Sequence, residues 1–227
     1  MIKICVISDL HGYLPEIEPC ELLLICGDIV PLRIQNRTND CYKWFSNEFK
    51  EWATNLQCNK VIFIAGNHEL TFPYHYDHYK NLFNNDNKIT YLCHEQYIYK
   101  GLDDKEYSIF GTPYCKQFMN WAFMSTDEYL RQIYKGIPND LDILISHDNP
   151  YGYGDIVLQE CPWADGSHIG NIPLAEIIKE KQPKYQFNGH LHSCDHSLIM
   201  IDNTKHYNCS IMDENYTPVY SPLYLNI

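Results

Sequence analysis

Val6-Ile7-Ser8-Asp9-Leu10-His11-Gly12 is a hydrophobic run that stops abruptly at a carboxylate, one spacer and an imidazole. Upstream, Ile2, Ile4, Cys5, Val6 and Ile7 follow one another with almost no polar interruption. A strand of that kind is buried on both faces, as in a parallel sheet. Asp9 and His11 then fall just past its carboxyl end, the edge of an open α/β sheet where ligand groups collect. With Gly12 allowing a tight exit, the two side chains can point at one cation. Taken alone, Asp-x-His has a plainer reading as a helix cap or turn former.

The same ending recurs along the chain. Leu22 to Cys26 closes in Gly27-Asp28, and Val61 to Ala65 runs into Gly66-Asn67-His68-Glu69. Leu141 to Ile145 ends at Ser146-His147, and Tyr185 to Asn188 at Gly189-His190-Leu191-His192. Five apolar runs ending in metal-competent residues are better explained by one shared site than by five separate caps. Glycine before the polar residue in three of them suits a sharp turn that admits a ligand closely.

Between these runs, Asp40 to Asn55 places Tyr42, Phe45, Phe49 and Trp52 at spacings of three and four. That predicts an amphipathic helix with core-facing aromatics, capped by Thr38, Asn39 or Asp40. Thr126 to Gly136 and Pro173 to Lys181 are further helices, and Tyr74 to Asn87 is helical in part. Ile89 to Tyr99 and Glu106 to Phe110 are expected to pair antiparallel, and the chain beyond His192 to complete a second sheet. A strand–helix–strand rhythm favours a parallel or mixed α/β sheet.

The 227 residues, 45% hydrophobic, suit a single domain over 1–227. No apolar run reaches the roughly 20 residues of a membrane span, and a cytoplasmic protein is expected. Ten cysteines without a Cys-x-x-Cys pair point to reduced thiols rather than a zinc ribbon. A net charge of −12 argues against an extended nucleic-acid interface. Phosphate would need a local positive source, which bound metal ions supply. His75 and His78 could share a helix face as ligands, although such pairs are more often surface histidines.

In order and content these motifs resemble the calcineurin-like metallophosphoesterase superfamily over positions 9 to 192. The resemblance implies an α/β fold, a two-sheet β-sandwich flanked by helices, with a dinuclear metal site at the strand carboxyl ends. It assigns Asp9, His11 and His192 to the first ion and Asn67, His147 and His190 to the second, with Asp28 bridging. His68 is left unligated as proton donor to the leaving oxygen. Mixed imidazole, carboxylate and amide ligands suit two divalent ions drawn from Mn, Fe, Zn or Ni. The implied reaction is phosphoester hydrolysis by a hydroxide shared between them.

Within that superfamily, protein serine/threonine phosphatases expect an acidic-Arg-Gly continuation after the second aspartate. This chain has Ile29-Val30-Pro31-Leu32 instead. Gly111-Thr112-Pro113-Tyr114, His147-x-x-Pro150, Gly152 to Asp155 and Ser167-His168-Ile169-Gly170 are similar to the small metallophosphoesterase-domain phosphodiesterases. That similarity implies a small phosphodiester partner, a cyclic nucleotide for example. Trp121, Phe123, Tyr151 or Tyr153 would then stack a base and His168 would touch phosphate or ribose. For each aromatic, ordinary loop packing competes. The alternatives are a phosphomonoesterase or nuclease of the same superfamily, or a non-catalytic metal-bound interaction module.

Overall fold

The computed structural model describes residues 1–158 and 166–227. In the first sheet β1 (Lys3–Ile7), β2 (Leu22–Ile25), β3 (Lys60–Ile64) and β4 (Ile89–Leu92) run parallel. The last strand, β13 (Leu223–Asn226), closes the β1 edge antiparallel. The second sheet contains β5 (Glu95–Lys100), β6 (Glu106–Thr112), β9 (Ile143–Ser146), β10 (Tyr185–Asn188), β11 (Ile199–Ile201) and β12 (Thr204–Asn208). Its order is β11-β12-β10-β9-β6-β5, parallel from β12 to β6. A short parallel pair, β7 (Cys115–Lys116) and β8 (Met124–Ser125), brackets the aromatic loop.

Side-chain alternation on β1 explains why that run has no polar face. Ile4 and Val6 pack between the two sheets with Ile62, Ile145 and Phe187. Cys5 and Ile7 face the opposite way, into a second core with Phe45, Phe49 and Phe83. That outer layer comes from α1 (Thr38–Trp44), a π-helical turn at Phe45–Phe49, α2 (Lys50–Asn55) and α3 (Tyr76–Asn84). On the far side α4 (Asp127–Tyr134) and α5 (Ile172–Lys181) cover the second sheet through Leu130, Tyr134, Leu174 and Ile178. Each fully buried Leu or Ile contributes about 1.5–3 kcal/mol, so two sheets with both faces covered offset the ordering of many loops. Asn171 caps α5 by accepting from Leu174 N at 2.9 Å, and Thr126 caps α4.

Three expectations need correction. Ile89 to Tyr99 is two strands in different sheets, because the chain turns at Cys93 and His94, the latter at φ 55°. The end of the chain does not all join the second sheet, since β13 returns to pair with β1. The long helix starts at Thr38 with Arg37 as its cap residue and no side-chain cap bond. Its π-turn inserts an extra residue per turn and shifts the buried stripe. Trp44 is therefore buried while Tyr42 is exposed.

The parallel strands of both sheets deliver their carboxyl ends to one edge. There Ile211 N donates to Ser8 O at 3.1 Å and stitches the two sheets together. Among the described residues, no helix is long and apolar enough to cross a membrane, and nine cysteines are free.

Candidate metal centre

Backbone hydrogen bonds lock the strand tips together. Asp9 N donates to Gly27 O (3.0 Å), His11 N to Asp28 O (2.9 Å) and Gly12 N to Ile29 O (2.9 Å), making the loops after β1 and β2 one unit. In the second sheet Gly189 N donates to His147 O at 3.1 Å. Asp9, His11, Asp28 and His190 all lie at positive φ, from 44° to 70°. Such residues stay there only where the surroundings over-determine them, and strain of this kind clusters at functional sites. Gly66 and Gly189 are needed for space. A Cβ on Gly66 would press on Asp28 and lie 2.6 Å from the His147 ring, and one on Gly189 would strike Ser8 and Asp9.

Among the described residues three overlapping groups result: Asp9 with His11 and His192, His11 with Asp28 and His68, and Asp28 with His147 and His190. Within each, the ligand-capable atoms lie within 4.8 Å of one another. His147 Nδ1 donates to Cys26 O (2.7 Å) and His192 Nδ1 to Asp213 O (2.9 Å). A carbonyl only accepts, so both rings keep a hydrogen on Nδ1 and turn Nε2 inward. His147 Nε2 then lies 3.0 Å from Asn67 Oδ1 and 3.2 Å from Asp28 Oδ2. His192 Nε2 lies 3.3 Å from His11 Nε2 and 3.4 Å from Asp9 Oδ1. Acceptors facing acceptors repel unless positive charge sits between them.

Protons on Nε2 of His147 and His192 also supply such charge, and a bound ion would displace them. Burial opposes charge on His147, yet the Asp28 carboxylate raises it to about 10. Burial likewise opposes charge on His192, and the hydrogen bond and charge of Asp9 raise it to about 9. Burial would lift Asp28, but the charges of His147 and His68 hold it well below the carboxylate range. For Asp9 burial is outweighed by its hydrogen bond to His192, which brings it to about 2. Burial takes His11 down to about 3 and lowers His190, keeping both rings in the neutral form that binds metal. Among the described residues, the buried His11 Nδ1 has no hydrogen-bond partner. This donor set fits borderline divalent ions.

A family model for calcineurin-like phosphoesterases matches residues 2–194. The chain belongs to that family. Metallophosphoesterase domain-containing protein 1 of Homo sapiens is 29% identical over 246 residues, covering 99% of this chain and 70% of that protein. A lariat debranching enzyme of Drosophila pseudoobscura pseudoobscura is 28% identical over 222 residues, 81% of this chain and 39% of that protein. The crystal structure of TT1561 of Thermus thermophilus superposes with a TM-score of 0.60 at 11% identity, covering 92% of this chain and 88% of that one. The calcineurin-like fold, two sheets flanked by helices, is thus common to both structures.

In this phosphoesterase a cavity of about 460 Å³ opens beside the His and Asp cluster. Asp28, Asn67, His68, His190 and His192 form one wall, and Phe118, Met119, Trp121, Ile169 and Tyr216 contribute apolar surface. The Trp121 ring lies 4.4 Å from that of His68, and Tyr216 stands edge-on to His11 at 4.7 Å. Of the aromatics expected near substrate, Trp121 lines this cavity, whereas Tyr151 and Tyr153 do not. Phe123 packs on Tyr114 at 6.0 Å instead. His168 is also outside the lining, with Nδ1 2.6 Å from Asp155 Oδ1 and its ring 5.5 Å from Tyr151. Tyr153 packs on the core under α4 and α5, with Lys179 Nζ 5.3 Å from its ring centre. His75 and His78 stack at 6.0 Å but belong to none of the three groups.

Sequence reasoning missed Gln35, Asp148 and Tyr216, and left Glu69 without a role. Glu69 is buried and accepts four backbone N–H bonds, from Asp28 (3.0 Å), Ile29 (2.8 Å), Val30 (2.8 Å) and Gly66 (2.6 Å). It holds the turns that present Asp28 and Asn67. Its place in Gly66-Asn67-His68-Glu69 was a signal; nothing local marks Tyr216, far along the chain.

A second polar chain supports the His147 turn. His206 is buried and paired with Gln186 through Nδ1, Gln186 Nε2 donates to Ser146 Oγ (2.8 Å), and Ser146 Oγ donates to Asp148 O (2.9 Å). Burial drives His206 from 6.5 down to about 4. The unfolded chain therefore takes up this proton first, and the stability present above pH 6.5 is lost as pH falls toward 4. The loss is about 3 kcal/mol. Denaturant melts of wild type and His206→Gln should show their stability difference shrinking across that window; a constant difference contradicts the assignment.

Proposed function

We propose that this phosphoesterase hydrolyses small phosphodiesters, cyclic nucleotides among them, using two divalent ions. Asp9, His11 and His192 would hold one, Asn67, His147 and His190 the other, and Asp28 would reach both. Bound there, the ions would supply Lewis-acid charge and bring the pKa of a water near 7. The protein's own part is orientation. His192 and His147 are aimed by carbonyls through Nδ1, Asp28 is fixed by the Glu69-bound turn, and the apolar wall limits water. His68 has its backbone N–H on Asp28 Oδ1 at 2.8 Å and its ring at the cavity wall. From there it would give a proton to the leaving oxygen.

The observation that carries the diester reading is the cavity's charge. Lys116 is the one lysine or arginine in its described lining, and its ammonium is engaged by Ile169 O (3.2 Å) and Gly170 O (3.4 Å). Arg33 and Arg37 are exposed and lie outside it. A monoester dianion would meet Asp28, Asp148 and Glu214 with little to balance its second charge. A diester monoanion with an apolar substituent suits both walls. The relative named for lariat debranching also supports a cleavage reaction.

The test is steady-state hydrolysis by metal-loaded protein of bis-p-nitrophenyl phosphate, p-nitrophenyl phosphate and 2′,3′- and 3′,5′-cyclic nucleotides. Diesters should be preferred; monoester preference, or no diester cleavage with Mn, Fe, Zn or Ni, defeats the reading. His68→Ala should keep its metal content while slowing diesters with basic leaving groups about 10²–10⁴-fold. Loss of one metal equivalent per chain would instead make His68 a ligand, as its grouping with His11 and Asp28 permits.

A further inference from the structure

Seven residues after Asp28, the same loop places Gln35 against His68. Gln35 Oε1 lies 2.5 Å from His68 Nδ1. Its backbone is pinned there by Ile34, which is buried in the helix-side core. Ile34 N donates to Pro31 O (3.0 Å), Arg37 N donates to Ile34 O (2.8 Å), and Cys41 Sγ meets Ile34 O at 2.9 Å. The His68 ring is flanked by Trp121 at 4.4 Å and by the edge of His11 at 4.9 Å. With its backbone N–H on Asp28 Oδ1 (2.8 Å), the residue is gripped at two points by the segment 28–35.

We propose that Gln35 is the positioning residue for His68, accepting a hydrogen bond from Nδ1–H so that Nε2 is the one ring atom free to exchange a proton with substrate. This rests on the reading of His68 as proton donor. An amide oxygen only accepts, so the hydrogen on Nδ1 is retained throughout. His68 Nε2 faces the interior of the site, 3.8 Å from Asp28 Oδ2. In the cleavage step an attacking hydroxide oxygen forms a bond to phosphorus as the P–O electron pair passes to the leaving oxygen. The Nε2–H bond breaks, its pair staying on nitrogen, and an O–H bond forms. The neutral ring that remains keeps Nδ1–H on Gln35. A neutral amide orients the ring without adding a carboxylate to a site already rich in them. Gln35 lies beyond Ile29-Val30-Pro31-Leu32, where the chain departs from the protein-phosphatase pattern, so that departure leaves the His68 contact in place.

The substitution Gln35→Leu keeps the size and removes the acceptor, and Gln35→Glu restores one. Rates on aryl diesters of rising leaving-group basicity, from bis-p-nitrophenyl to diphenyl phosphate, should fall increasingly in Gln35→Leu. The loss should reach about 10- to 100-fold in kcat at the basic end, with KM and metal content unchanged. Gln35→Glu should recover most of it. In a His68→Ala background Gln35→Leu should cost little more, as groups acting as one unit are non-additive. Equal losses along the series, additive losses, or a lost metal equivalent overturn the proposal. Imidazole 15N shifts of His68, assigned against His68→Ala in the metal-free protein, decide the contact without turnover. They should report the Nδ1–H tautomer in wild type and a mixture in Gln35→Leu. An unchanged tautomer refutes the contact, whereas absent diester hydrolysis with the expected tautomers refutes only the functional reading.

Discussion

Asp28→Asn is expected to abolish metal retention and slow diester hydrolysis by about 10³-fold or more, corresponding to about 4 kcal/mol of lost transition-state stabilisation. Asp28 is 1% exposed and meets every part of the cluster. Oδ2 lies 3.2 Å from His147 Nε2, 3.8 Å from His68 Nε2 and 4.0 Å from His11 Nε2. Oδ1 accepts the His68 backbone N–H. The amide keeps that last bond and the volume, so the fold should survive and the change isolates the charge. Without it, the cluster loses one of the two carboxylates, Asp9 and Asp28, that would neutralise the ions it is meant to hold. Metal analysis of purified protein together with kcat/KM checks this; normal metal content in Asp28→Asn would sink the two-ion arrangement.

Glu69→Ala should cost about 4 kcal/mol or more. It leaves four buried backbone donors without their acceptor, each worth about 1–3 kcal/mol before relaxation. For a chain of this size that lowers Tm by about 10 °C. The split between oxygens sharpens the test. Oε2 serves Asp28 N and Gly66 N, while Oε1 serves Ile29 N and Val30 N. Glu69→Gln must turn an NH₂ toward one of those pairs, so roughly half the loss is expected. Burial and the Asp28 charge push Glu69 up to about 7, against the pull of the backbone amides. Calorimetry of both variants is decisive, and a Tm for Glu69→Ala within about 2 °C of wild type would show that the turn holds itself.

These two residues also mark the limit of what local sequence carries. Asp28 was legible because an apolar run ended in Gly27-Asp28, and burial on both faces leaves such a strand few other roles. The same logic placed Asp9, Asn67, His147 and His190 just past the carboxyl ends of parallel strands, where the fold has them. It failed where a partner distant in the chain decided the outcome. Continuous β pattern over Ile89 to Tyr99 cannot say that the segment changes sheets at Cys93-His94, since both halves satisfy it. Nor can composition place β13 beside β1, or predict that a π-turn would bury Trp44 and expose Tyr42.

By itself the amino-acid order determined that hydrophobic strands end in metal-competent side chains, because burial and turn chemistry are written residue by residue. Only the folded chain decided which groups orient them: Glu69 under the Asp28 turn, Gln35 on His68, Tyr216 over His11. Those contacts form between segments brought together by packing of the two sheets, and no spacing along the chain encodes a distance across a cavity.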